Sequence, residues 1–292
     1  MKSRLLVTNE CLACMLRQVV EASEYATQDC LLRYHAITQV IDFLNKASWD
    51  RLDHVRIGSE AHRIVRKATR NPDPYHELKV LSNRMALEWL SKLETLENNL
   101  PFMSAVGVAA AGNMIDYGAI KTSESPGKLF ARAMEGKVDP RRIEEAKRIA
   151  KESRKVLYIC DNAGEIAFDK LLVSAIANLG AEVTVAVRGG PVVNDATLED
   201  ATQVGMHSLA KTISTGADIC GIVLDKSSGE FLDAFHRAGL IISKGQGNLE
   251  SLVNVGKKPA TIHILKVKCN LLASHLKSDI GSTEVVIQRA GS

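Results

Sequence analysis

The chain has 292 residues, 46% hydrophobic and 24% charged, with 37 basic against 34 acidic residues for a net charge of +3. That composition suits a globular protein long enough to bury a core without cross-links, as one large domain or two modest ones. The near balance of charge argues against nucleic acid or an anionic membrane as partner. No run approaches a membrane span, and Met1 to Glu10 lacks the apolar core of a signal peptide, so a cytoplasmic protein is expected.

Residues 11–25, 31–45, 59–67 and 76–96 carry apolar residues at three- and four-residue spacing and are predicted as helices. Pro72 and Pro74 interrupt this run, and Pro101 marks a second break. A helix of small apolar residues, including Ala105 and Ala109 to Ala111, is predicted over 102–114. Another is predicted to start at Asp139-Pro140 and run toward Ser153.

After Arg154 the period changes. Short apolar runs predict strands at 156–160, 182–188, 219–224, 240–243 and 260–265, with an edge strand at 285–289. Helices are expected between them at 166–179, 197–210, 229–237 and 248–255. Strands alternating with helices imply an α/β domain over 154–292, with a mainly parallel sheet flanked by helices, preceded by an all-helical region over 1–153. In such a sheet ligands bind at the carboxyl ends of the strands.

Three strand ends carry chemistry. Asp161-Asn162-Ala163-Gly164-Glu165 offers carboxylate and amide oxygens suited to a hard cation, though Asp161 can equally be read as a helix cap. Arg188, Gly189 and Gly190 lead to Asn194-Asp195, where Asp195 can add a carboxylate and Arg188 can neutralise a phosphate; a glycine–proline turn and a second cap are the plainer reading. Lys244-Gly245-Gln246-Gly247-Asn248 places one cation and glycine N–H groups where a phosphate can sit, or forms a loop with a solvated lysine.

These three strings in this order resemble the motifs of the damage-control phosphatase family, long catalogued as a domain of unknown function. Gly112-Asn113-Met114-Ile115-Asp116 is similar to its Gly-Asn-x-x-Asp motif, and Cys11-Leu12-Ala13-Cys14 with the compact length resembles the archaeal-type branch. The resemblance implies a divalent-metal phosphatase (Mg²⁺, Mn²⁺, Co²⁺ or Ni²⁺) acting on a small phosphorylated metabolite. It implies Asp161, Asn162 and Asp195 as metal ligands, Asn113 and Asp116 reaching in from the helical region, and Lys244 on the phosphate. Gly245, Glu165 and Arg188 are expected beside the substrate.

Other features carry less. Cys11 and Cys14 supply half a tetrahedral zinc site, and six scattered cysteines fit a reducing compartment. A redox role for that pair stands beside ordinary helix packing. His207, His236, His263 and His275 have no mutual ligand spacing, and Lys266 and Lys268 read as a solvated face. A Rossmann-like methyltransferase or nucleotide-binding protein shares the fold, but the first strand lacks its glycine fingerprint. A non-catalytic redox or metabolite sensor is the alternative of another class.

Overall fold

The structure, a computed structural model, describes residues 8–47, 54–94, 101–112 and 139–291. Helices α1 (Asn9–Ala26), α2 (Cys30–Lys46) and α3 (His54–Thr69) pack their apolar stripes together, burying Val19, Val40, Ile57 and Val65 with Tyr75. Asp29 caps α2 by accepting from the Leu31 and Leu32 amides. The proline break holds: Arg70 adopts φ 56°, and the Asp73 carboxylate accepts from the Tyr75 amide at 3.1 Å just before α4 (His76–Glu94). Helix α5 (Phe102–Gly112) follows. Helix α6 (Pro140–Glu152) starts as the sequence predicts, with Asp139 as cap and Pro140 in its first turn.

The described strands are β1 (Lys155–Ile159), β2 (Glu182–Val187), β3 (Lys211–Ser214), β4 (Leu240–Lys244), β5 (Ala260–Lys266) and β6 (Thr283–Gln288). They form one sheet in the order β3-β2-β1-β4-β5-β6, parallel except for β6, which runs antiparallel to β5. Helices α7 (Glu165–Ala177), α8 (Leu198–Gln203), α9 (Gly229–Arg237), α10 (Gln246–Leu252) and α11 (Asn270–Leu276) complete the described elements. On one face Tyr158 and Val185 join α4 to α7 in a single core, with Phe168 and Leu172 of α7 fully buried. On the other, Leu157, Ile159 and Ile241 pack against Phe231 and Phe235 of α9.

One expected strand is corrected. Ile219 to Leu224 is not a strand: Ile219 and Val223 pack on Val55 of α3, Ile222 joins the core beneath α9, and the strand lies earlier, at β3. Chain order reverses between β1 and β4, which opens a crevice at their carboxyl ends. The α1–α3 layer lies over that edge. Arg63 and Arg66 of α3 both bind Asp218, Arg66 Nη1 donates to the Pro191 carbonyl at 2.5 Å, and the Cys220 amide donates to Ser59 Oγ at 3.0 Å. Among the described residues no helix is long and apolar enough to cross a membrane.

His263 of β5 is buried, its ring nitrogens 3.1 Å from Ser243 Oγ and 3.1 Å from Gln288 Oε1. Burial lowers its pKa from 6.5 to about 4, and burial with the neighbouring Arg66 charge does the same for His62. The unfolded chain therefore takes up protons in this window that the folded chain refuses. The stability is complete above 6.5 and drains away as pH falls toward 4. Urea unfolding should lose up to ~3 kcal/mol per histidine across that range. His263→Gln should flatten the profile by one such share; an unchanged slope would place the acid sensitivity elsewhere.

Candidate active site at the carboxyl edge of the sheet

The β1 and β2 loops are laced together by their own backbone. Ala163 N–H donates to the Asn194 carbonyl at 2.9 Å, and Ala196 N–H to the Asp161 carbonyl at 2.8 Å, so Asn162 and Asp195 pair as an antiparallel bridge. Val193, just before, is held at φ 46°, a conformation that strains a β-branched residue and turns Asn194-Asp195 toward the crevice. Asp161, Asn162 and Asp195 thus meet at the floor of a cleft of about 460 Å³. Its roof comes from α1 and α3, and its far wall from the loops after β4 and β5.

Electrostatics make this floor a place for a cation. Burial, then the Asp195 and Glu165 charges, pushes the Asp161 carboxyl well above its usual range; burial also raises Asp195 against the pull of Arg188. Arg188 lies fully buried beneath the pair, its Nε 2.6 Å from Asp195 Oδ2 and its Nη1 donating to the Gly221 carbonyl at 3.2 Å. Its Nη2 has no hydrogen-bond partner among the described residues and stays 3.9 Å from Asp161 Oδ1. Burial works against the Arg188 charge, but Asp195 and Asp161 outweigh it. The amide of Asn162 donates to Asp161 Oδ2 at 3.0 Å and to Glu165 Oε2 at 3.4 Å, which leaves its carbonyl as the atom to meet a cation. Two carboxylates and an amide oxygen fit a hard divalent ion. Among the described residues no group of three His, Cys, Asp or Glu side chains is gathered for a metal, so this site rests on two carboxylates and the Asn162 amide.

The structure corrects the substrate-side expectations. Lys244 does not face the cleft. It is fully buried, its ammonium bound by Glu165, by Asp169 Oδ1 at 2.7 Å and by the Ala109 carbonyl at 2.8 Å. Burial disfavours that charge, yet Asp169 and Glu165 outweigh it and hold the lysine above its ordinary pKa. Glu165 is correspondingly an inward partner of Lys244 and only 2% exposed. Arg188 serves the carboxylates from below and does not line the cleft. Gly245 donates its amide to the Ile264 carbonyl at 2.9 Å, so that group is taken; its glycine character serves close approach, because at φ 79° any Cβ would overlap the Asp161 carboxylate. Asn113 and Asp116 lie outside the described residues.

Among the described residues two cations line the cleft, Arg17 of α1 and Lys268 beyond the end of β5, and Lys268 is near enough to oppose the rise in the pKa of both Asp161 and Asp195. Lys268 is exposed, as the sequence predicts; what its position after a strand adds is that this exposed charge stands at the cleft. Asn83 of α4 was unforeseen. Fully buried, it accepts from the Gly164 amide at 2.6 Å and donates to Asp200 Oδ1 at 2.9 Å, fixing the loop that carries Asp161 and Asn162. Its spacing of four from buried Lys79, on one face of α4, is the trace it leaves in the sequence.

Residues 7–283 match the damage-control phosphatase ARMT1-like domain. The chain is 36% identical over 291 residues to an uncharacterized protein of Methanocaldococcus jannaschii, covering 96% of this chain and 94% of that one. It is 35% identical over 280 residues to a damage-control phosphatase of Pyrococcus horikoshii, covering 94% and 96%. The crystal structure of a DUF89 family protein from Pyrococcus horikoshii superposes with a TM-score of 0.88 at 34% identity, over 98% of this chain and 99% of that one.

Proposed function

The chain belongs to the family of ARMT1-like damage-control phosphatases, and from that membership we propose that it is a metal-dependent phosphatase that hydrolyses monoesters of a small phosphorylated metabolite in the cytoplasm. The observation that carries the reading is the meeting of Asp161, Asn162 and Asp195 on the floor of a cleft at the reversal point of the sheet. When bound there, Mg²⁺, Mn²⁺, Co²⁺ or Ni²⁺ supplies Lewis-acid polarisation of a phosphoryl oxygen. The chain's own residues do the rest. Asp161, Asn162 and Asp195 hold the ion, Arg188 keeps the two aspartates oriented from beneath, and Lys268 offsets charge on the phosphate from the opposite wall. Helices α1 and α3 narrow access for water, which strengthens every one of these interactions. Free cysteines throughout the chain agree with a reducing compartment.

Phosphate release from a panel of sugar phosphates and nucleotides tests this. Chelated protein is expected to be inactive and each of the four ions to restore some turnover. Full activity in excess chelator, with no metal by elemental analysis, would remove the metal from the reading. No release from any ester with any ion would remove the phosphatase. Lys268→Ala is expected to retain metal in calorimetric titration while losing turnover by on the order of 10²-fold; wild-type kinetics would return Lys268 to the solvent.

A further inference from the structure

Cys11 and Cys14 both line the cleft, on the helix that roofs it. They stand three residues apart in the opening turns of α1, and all six cysteines are free thiols. Side chains three apart on a helix have Cβ atoms about 5–6 Å apart, and a disulfide needs about 3.5–4.5 Å. A small tightening of the first turn therefore joins them. That turn is the one least held by helical hydrogen bonds.

We infer that Cys11 and Cys14 form a dithiol modification site in the roof of the active cleft, converted by a peroxide to an intrahelical disulfide that impairs turnover. The chemistry balances. One thiol attacks a peroxide oxygen and the O–O bond breaks, giving a sulfenic acid and water. The second sulfur then displaces water to form the S–S bond, so two thiols and one hydrogen peroxide yield a disulfide and two waters. The other cleft thiols compete poorly, because burial pushes Cys220 and Cys269 up and leaves little thiolate.

The bond has mechanical consequences at the cleft. Cys11 Sγ now accepts from the Thr8 amide at 3.5 Å, closing the start of α1. Cys14 Sγ lies 3.4 Å from Gln18 Nε2, and Gln18 Oε1 reaches His62 of α3 at 3.4 Å. Between the two sides, Asn270 at the start of α11 donates to Glu10 at 2.9 Å, strapping the first turn of α1 to the wall that carries Lys268. Joining the sulfurs withdraws both from these contacts and displaces Glu10, so the roof and the Lys268 wall lose their registration.

The disulfide is read independently of activity; only its effect on turnover rests on the phosphatase reading. Metal-loaded protein is treated with hydrogen peroxide, alkylated under denaturing conditions, and mapped by peptide mass, in parallel with phosphate release. The expected result is a Cys11–Cys14 linkage, a loss of turnover on the order of tenfold, and recovery of both with dithiothreitol. Cys14→Ser should show no such response relative to its own untreated activity, whereas Cys30→Ser should respond like the wild type. Absence of the linkage, or a linkage formed with no change in turnover, overturns the inference. So does a response that persists in Cys14→Ser. Untreated protein that releases no phosphate overturns the functional reading alone, since the mass map still reports the dithiol.

Discussion

Asp161→Asn is expected to lose turnover by on the order of 10³-fold and, at the same time, to make the metal-free protein more stable at neutral pH. The two effects share one cause. Burial and the nearby Asp195 charge raise the Asp161 carboxyl well above its usual 3.8, so the folded chain holds a proton there more tightly than the unfolded chain does. As pH rises above 3.8 the unfolded chain ionises first, and wild-type stability falls across that window. Asparagine keeps the shape, cannot ionise and escapes that fall. Chelated wild type and variant should therefore unfold alike in acid and diverge toward neutrality, with the variant the more stable. Metal should stabilise the wild type and stabilise the variant much less, since the variant loses one anionic ligand and only binding to the native state stabilises it. A variant that gains as much stability from metal as the wild type would show that Asp161 is no ligand, and one that is less stable at neutral pH would show that its charge is otherwise relieved.

What was legible beforehand has a physical pattern. Strands β1, β2, β4 and β5 are covered on both faces, so each reads as an apolar run, and the polar residues that end each run stand out. That is why Asp161 and Asn162, which follow β1, draw attention as a candidate site, while Asp195 lies further along the loop after β2. Strand β3 lies at the sheet edge and is a four-residue Lys-Thr-Ile-Ser segment, with too little apolar character to register. The apolar Ile219 to Leu224 stretch imitated a strand because it is covered from two sides, by Val55 of α3 and by the sheet-face core under α9. Residue type at a strand end tells nothing about which way a long side chain turns. Lys244 ends β4 and Lys268 lies just past β5, yet one turns inward and the other lines the cleft. A clue to the difference did exist. Glu165 and Asp169 stand four apart on α7 among Ile166, Ala167, Phe168 and Leu172, and two carboxylates among so many apolar neighbours call for an internal cation.

That internal cation sets the other large effect. Lys244→Met is expected to destabilise the fold by about 3–5 kcal/mol, because it leaves Glu165 and Asp169 buried without their counter-ion. Asp169 already shows the strain: burial lifts it to about 6 even with Lys244 and the Tyr158 hydroxyl, 2.7 Å away, working to hold it down. Its Oδ2 is unpartnered among the described residues, so nothing else there takes over the charge. In the variant Asp169, no longer held down by Lys244, should keep its proton in the folded state to a higher pH than in the wild type. The deficit should then shrink as pH falls toward about 6, the reverse of the histidine effect and separable from it by comparison with the wild type. Adding Glu165→Gln and Asp169→Asn to Lys244→Met should restore much of the loss, since the triad is then neutral and no charge is stranded. Activity should fall in Lys244→Met as well, through Asn162, which leans on Glu165, and through Gly245, which abuts Asp161. Urea unfolding and metal titration distinguish this from direct phosphate binding. A Lys244→Met protein of native stability, binding metal normally but with a raised KM, would return Lys244 to the substrate. A destabilised one, partly rescued by neutralising its partners, establishes it as the buried post on which the site is built.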